Sequence, residues 1–84
     1  MYIIKVCYKE GNFNYFYPSS YGDMITGNPF RAMENGFRTV EKAETFFNNS
    51  QESFKQLTTG TNVDAVKIMS VQTSYEDVEI IANL

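Results

Sequence analysis

Histidine and tryptophan are absent from the 84-residue sequence, and cysteine occurs once, as Cys7. Without histidine the chain lacks the usual general base at neutral pH, and neither a Ser–His nor a Cys–His pair can form. One cysteine excludes an intramolecular disulfide and supplies too few ligands for a zinc site. We therefore expect a protein that is not an enzyme, with no catalytic residue, no metal site and no cofactor.

Long apolar segments are also missing. No window of the sequence is apolar enough to span a bilayer, and no basic segment followed by an apolar run stands at the start of the chain. These absences predict a cytoplasmic protein that does not bind membranes.

Basic residues are few, since seven Lys and Arg stand against ten Asp and Glu, for a net charge of −3. Four basic and three acidic residues fall in 1–38, whereas three basic and seven acidic residues fall in 39–84. Affinity for nucleic acid comes largely from Lys and Arg contacts to phosphate, so this balance argues against nucleic acid as a partner. It leaves an acidic C-terminal half that could meet a basic partner.

Apolar and aromatic residues are plentiful: the hydrophobic fraction is 43%, and there are seven Phe and six Tyr. A chain this short buries only about 60 to 65% of its unfolded surface, which allows one modest core. We expect a single domain over residues 1–84.

The clearest element is an amphipathic helix over 39–57, TVEKAETFFNNSQESFKQL. Thr39 is a suitable N-cap and Glu41 lies in the first turn. The Asn48-Asn49 pair is the weak point, because Asn49 and Glu52 have the form of a capping box and could start a second helix. We favour one helix because the apolar stripe keeps its phase across this point. The stripe consists of Val40, Ala43, Phe46, Phe47, Ser50, Phe54 and Leu57.

Alternating residues predict an N-terminal β-hairpin with strands at 2–9 and 13–17. A two-residue loop, at Glu10-Gly11 or Gly11-Asn12, places the same side chains on one face in either case. We expect the helix stripe to cover this face, with Phe47, Phe54 and Leu57 on its rings. The face comprises Val6, Tyr8, Phe13, Tyr15 and Tyr17, and the opposite face shows Ile3, Cys7 and Phe16.

A third strand is predicted at 63–73, with Val66 and Ile68 on one face, and the tail at 74–84 is ambiguous. As a helix the tail has a Ser or Thr cap and acidic residues in its first turn, whereas Val78 and Ile80 prefer strands. We favour the helix. The predicted fold is α+β with the order ββαβ: a small three-stranded antiparallel sheet, the N-terminal hairpin plus a C-terminal strand, packed against one long amphipathic helix, with a short C-terminal helix.

The segment 18–38 has the least regular pattern. Asn28-Pro29 starts and Asn35-Gly36 stops a short helix over 29–34. The segment forms either a lid on the second face of the sheet or an interaction loop. Its apolar residues are Tyr21, Met24, Ile25, Phe30 and Met33.

The chain has a hairpin that begins at Met1 (YIIKVCYKEGNFNYFY), then a loop, a phenylalanine before a capped helix (FRTVEKAETFF) and a last strand. This arrangement resembles that of many small proteins of bacteriophages and mobile elements. The resemblance implies stoichiometric binding to a host protein in the host cytoplasm. Inhibitors of anti-phage defence, including CRISPR nucleases, are among such proteins, so an anti-CRISPR role is one expectation.

Two binding hypotheses follow. The first is a non-catalytic protein-binding module, in which the segment 18–38 and the acidic exterior contact a host protein. A homodimer through the half-apolar sheet face or an unpaired strand edge could accompany it. Its candidate partner-binding residues are Tyr21, Met24, Ile25, Phe30, Arg31, Met33, Glu76, Asp77 and Glu79. The alternative is a small domain that binds single-stranded nucleic acid through Lys5, Lys9, Arg31, Arg38 and Phe16.

Overall fold

The computed structural model describes residues 1–71 and 76–83. Its strands form one antiparallel sheet in the order β3-β2-β1-β4-β5. The α+β class is confirmed, but the predicted three-stranded sheet with one long helix is wrong, because the described residues form a five-stranded sheet and three helices. The elements are β1 (Tyr2–Tyr8), β2 (Phe13–Ser19), β3 (Gly22–Thr26), α1 (Pro29–Glu34), α2 (Val40–Asn49), α3 (Gln51–Leu57), β4 (Val63–Ser70) and β5 (Glu76–Asn83).

The N-terminal hairpin forms as predicted, but in a different register. Its loop has three residues, since Gly11 N donates to Tyr8 O at 3.0 Å and Tyr8 N donates to Asn12 O at 3.0 Å. Gly11 takes φ 98°, the left-handed residue that follows a type I turn in such loops. Cys7 therefore lies opposite Phe13, and the predicted grouping of Tyr8 with Phe13 on one face is wrong.

The helix-covered face of the sheet is filled by Phe16, which is 1% exposed. Its ring centroid lies 5.2 Å from that of Phe46 and 5.3 Å from that of Phe54. The predicted contact of the helix stripe with Phe13, Tyr15 and Tyr17 is therefore wrong. The buried cluster on this face consists of Ile4, Val6, Tyr8, Phe16, Ala43, Phe47, Phe54, Val66 and Ile68.

The favoured single helix is also wrong, because the chain breaks between α2 and α3 at Ser50, with φ −115° and ψ 24°. The alternative of two helices is confirmed, although the break lies at Ser50 and no side chain caps α3. Asn and Ser hydrogen-bond readily to nearby backbone outside helices and so weaken a helix here. Thr39 is the predicted N-cap, and its hydroxyl accepts from Lys42 N at 3.1 Å.

The central segment contains α1 as predicted, with Asn28 Oδ1 accepting from Phe30 N at 3.0 Å and Pro29 at the first helical position. The strand β3 was not predicted. Helix α1 lies on the face of the sheet opposite α2 and α3, so this part of the segment acts as a lid. The second buried cluster comprises Ile3, Tyr15, Ala32, Met69 and Val71, with Met33 packed against it.

Pro18 sets the end of the β1–β2 ladder. The paired positions stop at Ile4 and Phe16. The next position of this register that would exchange hydrogen bonds is Tyr2 opposite Pro18, and it would require an N–H group that proline lacks. Phe37 takes this place, since Tyr2 N donates to Phe37 O at 2.7 Å and Phe37 N donates to Tyr2 O at 2.8 Å. Phe37 thus forms an isolated antiparallel bridge with Tyr2, three residues before α2 begins.

The third predicted strand is β4, with Val66 and Ile68 in the helix-side core as expected. The favoured helix over 74–84 is wrong where the structure describes it, because β5 spans Glu76–Asn83; positions 74, 75 and 84 lie outside the described residues. The β4–β5 pairing shifts register between Val66 and Lys67 and again between Ile68 and Met69. Among the described helices, none is long and apolar enough to cross a membrane.

Candidate functional site

A cleft opens between the β2–β3 turn and α1, on the α1 side of the sheet. Its volume is about 270 Å³. We call it the tyrosine cleft, after Tyr21 and Tyr17 at its wall. Its lining consists of Tyr17, Ser19, Ser20, Tyr21, Met24, Arg31, Glu34 and Asn35.

Tyr21 stands at the tip of the β2–β3 turn and is 95% exposed. The turn is held by Ser19, whose hydroxyl accepts from Tyr21 N at 3.1 Å and donates to Gly22 O at 2.7 Å. Gly22 takes φ 115°, a conformation that residues with a side chain rarely adopt. The aromatic ring is therefore carried by a turn whose backbone is tied down.

The structure brings together three of the predicted partner-binding residues, Tyr21, Met24 and Arg31, in the tyrosine cleft. Phe30, 64% exposed, lies on α1 one turn before Glu34. Ile25 and Met33 are half-buried and pack against the two core clusters.

The three predicted acidic residues lie in β5, at the edge of the sheet farthest from β3. Glu79 is opposite Ile68, and Asp77 and Glu76 are opposite Met69 and Ser70. The nine candidates therefore do not form one patch.

A second cleft lies on the other side of β3, against α3. Its volume is about 310 Å³. Ser53 Oγ donates to the Asp23 carboxylate and thereby connects α3 to β3. Among the described residues, two carboxylates and no basic side chain line this space, and we call it the acidic cleft. The lining residues are Asp23, Asn49, Ser50, Glu52, Ser53 and Gln56. None of them was a predicted partner-binding residue, because their grouping depends on β3.

No protein-family model, no curated protein and no solved structure matches the chain. Function is therefore inferred from the surface of the protein itself.

The residues of the nucleic-acid hypothesis are not gathered on one surface. Phe16 is buried in the core and cannot stack on a base. The exposed ring beside a lysine is that of Phe13, 46% exposed, with Lys5 Nζ 4.7 Å from its centroid. Arg31 lies instead in the tyrosine cleft. Sequence reasoning missed Phe13 for this role because it placed Phe13 on the helix-covered face.

Outside the clefts, the carboxyl groups of Glu44 on α2 and Glu79 on β5 lie together. Their mutual hydrogen bond, followed by desolvation and charge repulsion, raises the pKa of Glu44 above its ordinary value.

Within 1–71 and 76–83, no three His, Cys, Asp or Glu residues gather as a metal site. Cys7, half-buried in β1, lies between Phe13 and Ala65 of the flanking strands.

The Glu44–Glu79 pair predicts a pH-dependent effect of Glu44→Gln. Because the pKa of Glu44 is higher in the folded than in the unfolded chain, its ionisation destabilises the fold above the folded pKa. This penalty is absent below the unfolded pKa. Glutamine removes the charge, so the variant should melt at a higher temperature than the wild type near pH 7 and at the same temperature near pH 3.

Thermal melts across this range check the prediction, with Glu41→Gln as the control. Glu41 lies in the first turn of α2, where a negative charge stabilises the helix, so its loss should lower the melting temperature at neutral pH. A gain from Glu44→Gln that is equal at both pH values would contradict the raised pKa of Glu44.

Proposed function

We propose that the protein is a non-catalytic binding module that associates stoichiometrically with a protein partner through the tyrosine cleft. The observation that carries this proposal is the Tyr21 side chain, held 95% exposed on a tied-down turn beside Met24. A monomeric protein gains nothing in stability from such a ring, since burial of apolar surface is what stabilises the fold.

The chemistry of the cleft suits a protein surface. Tyr and Arg are enriched among the residues that dominate binding energy, and Met adapts its shape to different partners. A ring on a pre-organised turn loses little conformational freedom on binding. The cleft volume of about 270 Å³ is below the range of about 300 to 1,000 Å³ typical of small-molecule sites. It fits one or two side chains of a partner better than a cofactor or metabolite.

The resemblance to small phage proteins makes a host protein the expected partner, and a defence nuclease one candidate within that class. An inhibitor of this kind needs binding alone and no catalytic group. Both points stay predictions.

The nucleic-acid alternative has less support. The exposed ring of Phe13 already has Lys5 Nζ 4.7 Å from its centroid, and a base would compete with this cation–π contact for a ring face. The charge balance of the chain also opposes phosphate binding.

Tyr21→Ala should strongly reduce partner capture without affecting the fold. Tagged wild-type protein is used to retrieve partners from lysates of several bacterial hosts, and recovery is measured by quantitative mass spectrometry. We expect the specific partner to fall at least about tenfold with Tyr21→Ala, since an aromatic hot spot contributes about 2 kcal/mol or more. The melting temperature should not change, because the ring is exposed.

Phe13→Ala is the matched control, because it removes another exposed aromatic ring from a different part of the surface. It should retain the partner. Failure to enrich any protein above background in every host, or full capture by Tyr21→Ala, would refute the proposed function.

A further inference from the structure

We propose that the partner docks as an extended segment that adds to the outer edge of β3 as a sixth, antiparallel strand, with basic and apolar side chains in alternation. This inference rests on the proposed function, because it names the chemistry of the partner of that same surface. It is carried by the free backbone groups of β3 and by the two clefts on either side of them.

Pro18 determines which backbone groups of β3 face outward. β2 and β3 pair at five positions, from Tyr15 with Thr26 to Ser19 with Gly22. In an antiparallel pair, positions that exchange hydrogen bonds alternate with positions that do not. Pro18, opposite Asp23, has no N–H group and cannot exchange two hydrogen bonds with it. The positions of β2 that exchange hydrogen bonds with β3 are therefore 15, 17 and 19. The N–H and C=O groups of Asp23 and Ile25 therefore point away from β2, toward the open edge.

The two edges of the sheet differ in their fitness for an added strand. β5 has two register irregularities against β4, and such bulges are a common protection of edges against pairing. The pairing of β3 with β2 is regular over all five positions. β3 is therefore the edge that can template another strand.

The clefts flank this edge on opposite faces. Met24 of the tyrosine cleft and Asp23 of the acidic cleft are consecutive residues of β3, so their side chains point to opposite sides of the sheet. Side chains of an added strand alternate in the same way. A residue opposite Met24 would enter the tyrosine cleft, and its neighbour opposite Asp23 would enter the acidic cleft.

The lining of each cleft defines the occupant. The acidic cleft carries Asp23 and Glu52 with no basic residue, so it fits a Lys or Arg side chain. The tyrosine cleft offers Tyr17, Tyr21 and Met24, which suit an apolar side chain.

A second copy of this chain is a poorer occupant. An antiparallel β3–β3 pair would exchange hydrogen bonds between residue 23 of one copy and residue 25 of the other. It would then bring a second Asp23 to a cleft that already holds two carboxylates, and like charges on facing strands destabilise the pair.

A fluorescein-labelled heptapeptide in which lysine alternates with valine is the probe, and fluorescence anisotropy measures its binding. The peptide with glutamate in place of lysine should bind at least about tenfold more weakly, because it reverses every charge that faces Asp23 and Glu52. Binding should also weaken as salt is added. No binding of the lysine peptide up to about 1 mM would overturn the proposal.

Backbone methylation tests the strand geometry without altering the protein. In the proposed register the lysine residues lie opposite Asp23 and Ile25 and exchange hydrogen bonds with them. N-methylation of the lysines should abolish binding, whereas N-methylation of the valines should leave it within about threefold of the parent peptide, because those N–H groups point away from β3. Equal effects of the two modifications would overturn the antiparallel addition.

Amide hydrogen exchange of the wild-type protein gives an independent measurement. Addition of the lysine peptide should slow exchange at the Asp23 and Ile25 amides, which face the edge, and leave Met24, already bonded to β2, unchanged.

Light scattering of the protein alone should show a monomer. A concentration-dependent dimer with the same two amides protected would identify a second copy as the occupant and refute a partner strand.

Asp23→Pro removes one outward N–H, and Asp23→Asn keeps this group while removing the charge. The proline variant should bind the lysine peptide at least about tenfold more weakly and the asparagine variant about threefold more weakly. Thermal melts check that both variants fold.

If Asp23→Pro captures the cellular partner as well as wild type while Tyr21→Ala does not, strand addition is refuted and the proposed function stands. If no partner is captured at all, the proposed function fails.

Discussion

Replacement of Phe47 with aspartate should abolish cooperative folding of the domain. Phe47 is 3% exposed, and its ring centroid lies 5.1 Å from that of Phe54 and 6.4 Å from that of Phe16. Loss of a buried phenylalanine ring costs about 3 to 5 kcal/mol. The carboxylate that replaces it would be buried without a partner, which adds several kcal/mol more. A domain of this size has a total stability of only about 4 to 13 kcal/mol.

Thr45→Asp provides the matched control, because it introduces the same charge into α2 at an exposed position. We expect Thr45→Asp to melt cooperatively within a few degrees of wild type and Phe47→Asp to show no cooperative transition in circular dichroism or calorimetry. A retained two-state melt for Phe47→Asp would show that α2 is not part of the core and would contradict the burial of Phe47 between the sheet and the helices.

The elements that sequence reasoning predicted correctly are those specified by neighbouring residues. Thr39 and Asn28 cap α2 and α1 through bonds to backbone N–H groups two or three residues later, and such local signals are readable without knowledge of the fold. The alternation in 63–70 likewise identified β4, because its two faces contact different cores. In each case the sequence signal lies within one short stretch of chain.

The tail was misassigned because local and non-local preferences conflict. Acidic residues after Thr73-Ser74 have the form of a helix start, but the β-branched residues of β5 pair with β4 over Ala65 to Ser70. Pairing with an existing strand satisfies a row of backbone groups that an isolated short helix leaves open to solvent. Only knowledge that β4 had a free edge could have reversed the assignment.

The clefts could be predicted only in part. Tyr21, Met24 and Arg31 were identified because they are apolar or basic residues in an irregular segment. The acidic cleft was missed entirely, since Asp23 and Ser53 are thirty positions apart and meet only when β3 forms beneath α3. β3 itself spans five residues, Gly22–Thr26, with no alternation strong enough to reveal a strand.

The register error in the first hairpin has a definite physical origin. A two-residue loop and a three-residue loop differ by one position, and a shift of one position moves every side chain of β2 to the other face. The sequence Lys9-Glu10-Gly11-Asn12 is compatible with both, because Gly11 can supply the left-handed residue in either loop. The choice is made by burial: the observed register places Phe16 in the core between α2 and β1 and leaves Phe13 half-exposed.

Phe16→Ala and Phe13→Ala therefore form a decisive pair of variants, with the same substitution three residues apart on one strand. Phe16 is 1% exposed and its ring contacts those of Phe46, Phe47 and Phe54. Its loss should lower the free energy of unfolding by about 3 to 5 kcal/mol, which includes the cavity left among three remaining rings. Phe13 is 46% exposed, with one edge-on contact to Tyr15 and a lysine over its ring, so its loss should cost about 1 kcal/mol.

Urea denaturation of the two variants and the wild type measures this difference, with the slope of the transition compared to confirm that all three unfold in the same way. In the register predicted from the two-residue loop, Phe13 faces the helices and Phe16 faces away, so the order of the two effects would be reversed. A larger loss for Phe13→Ala than for Phe16→Ala would contradict the three-residue loop. Asp23 and Ile25 would still point outward in that case, because Pro18 and the β2–β3 pairing determine the direction of their backbone groups.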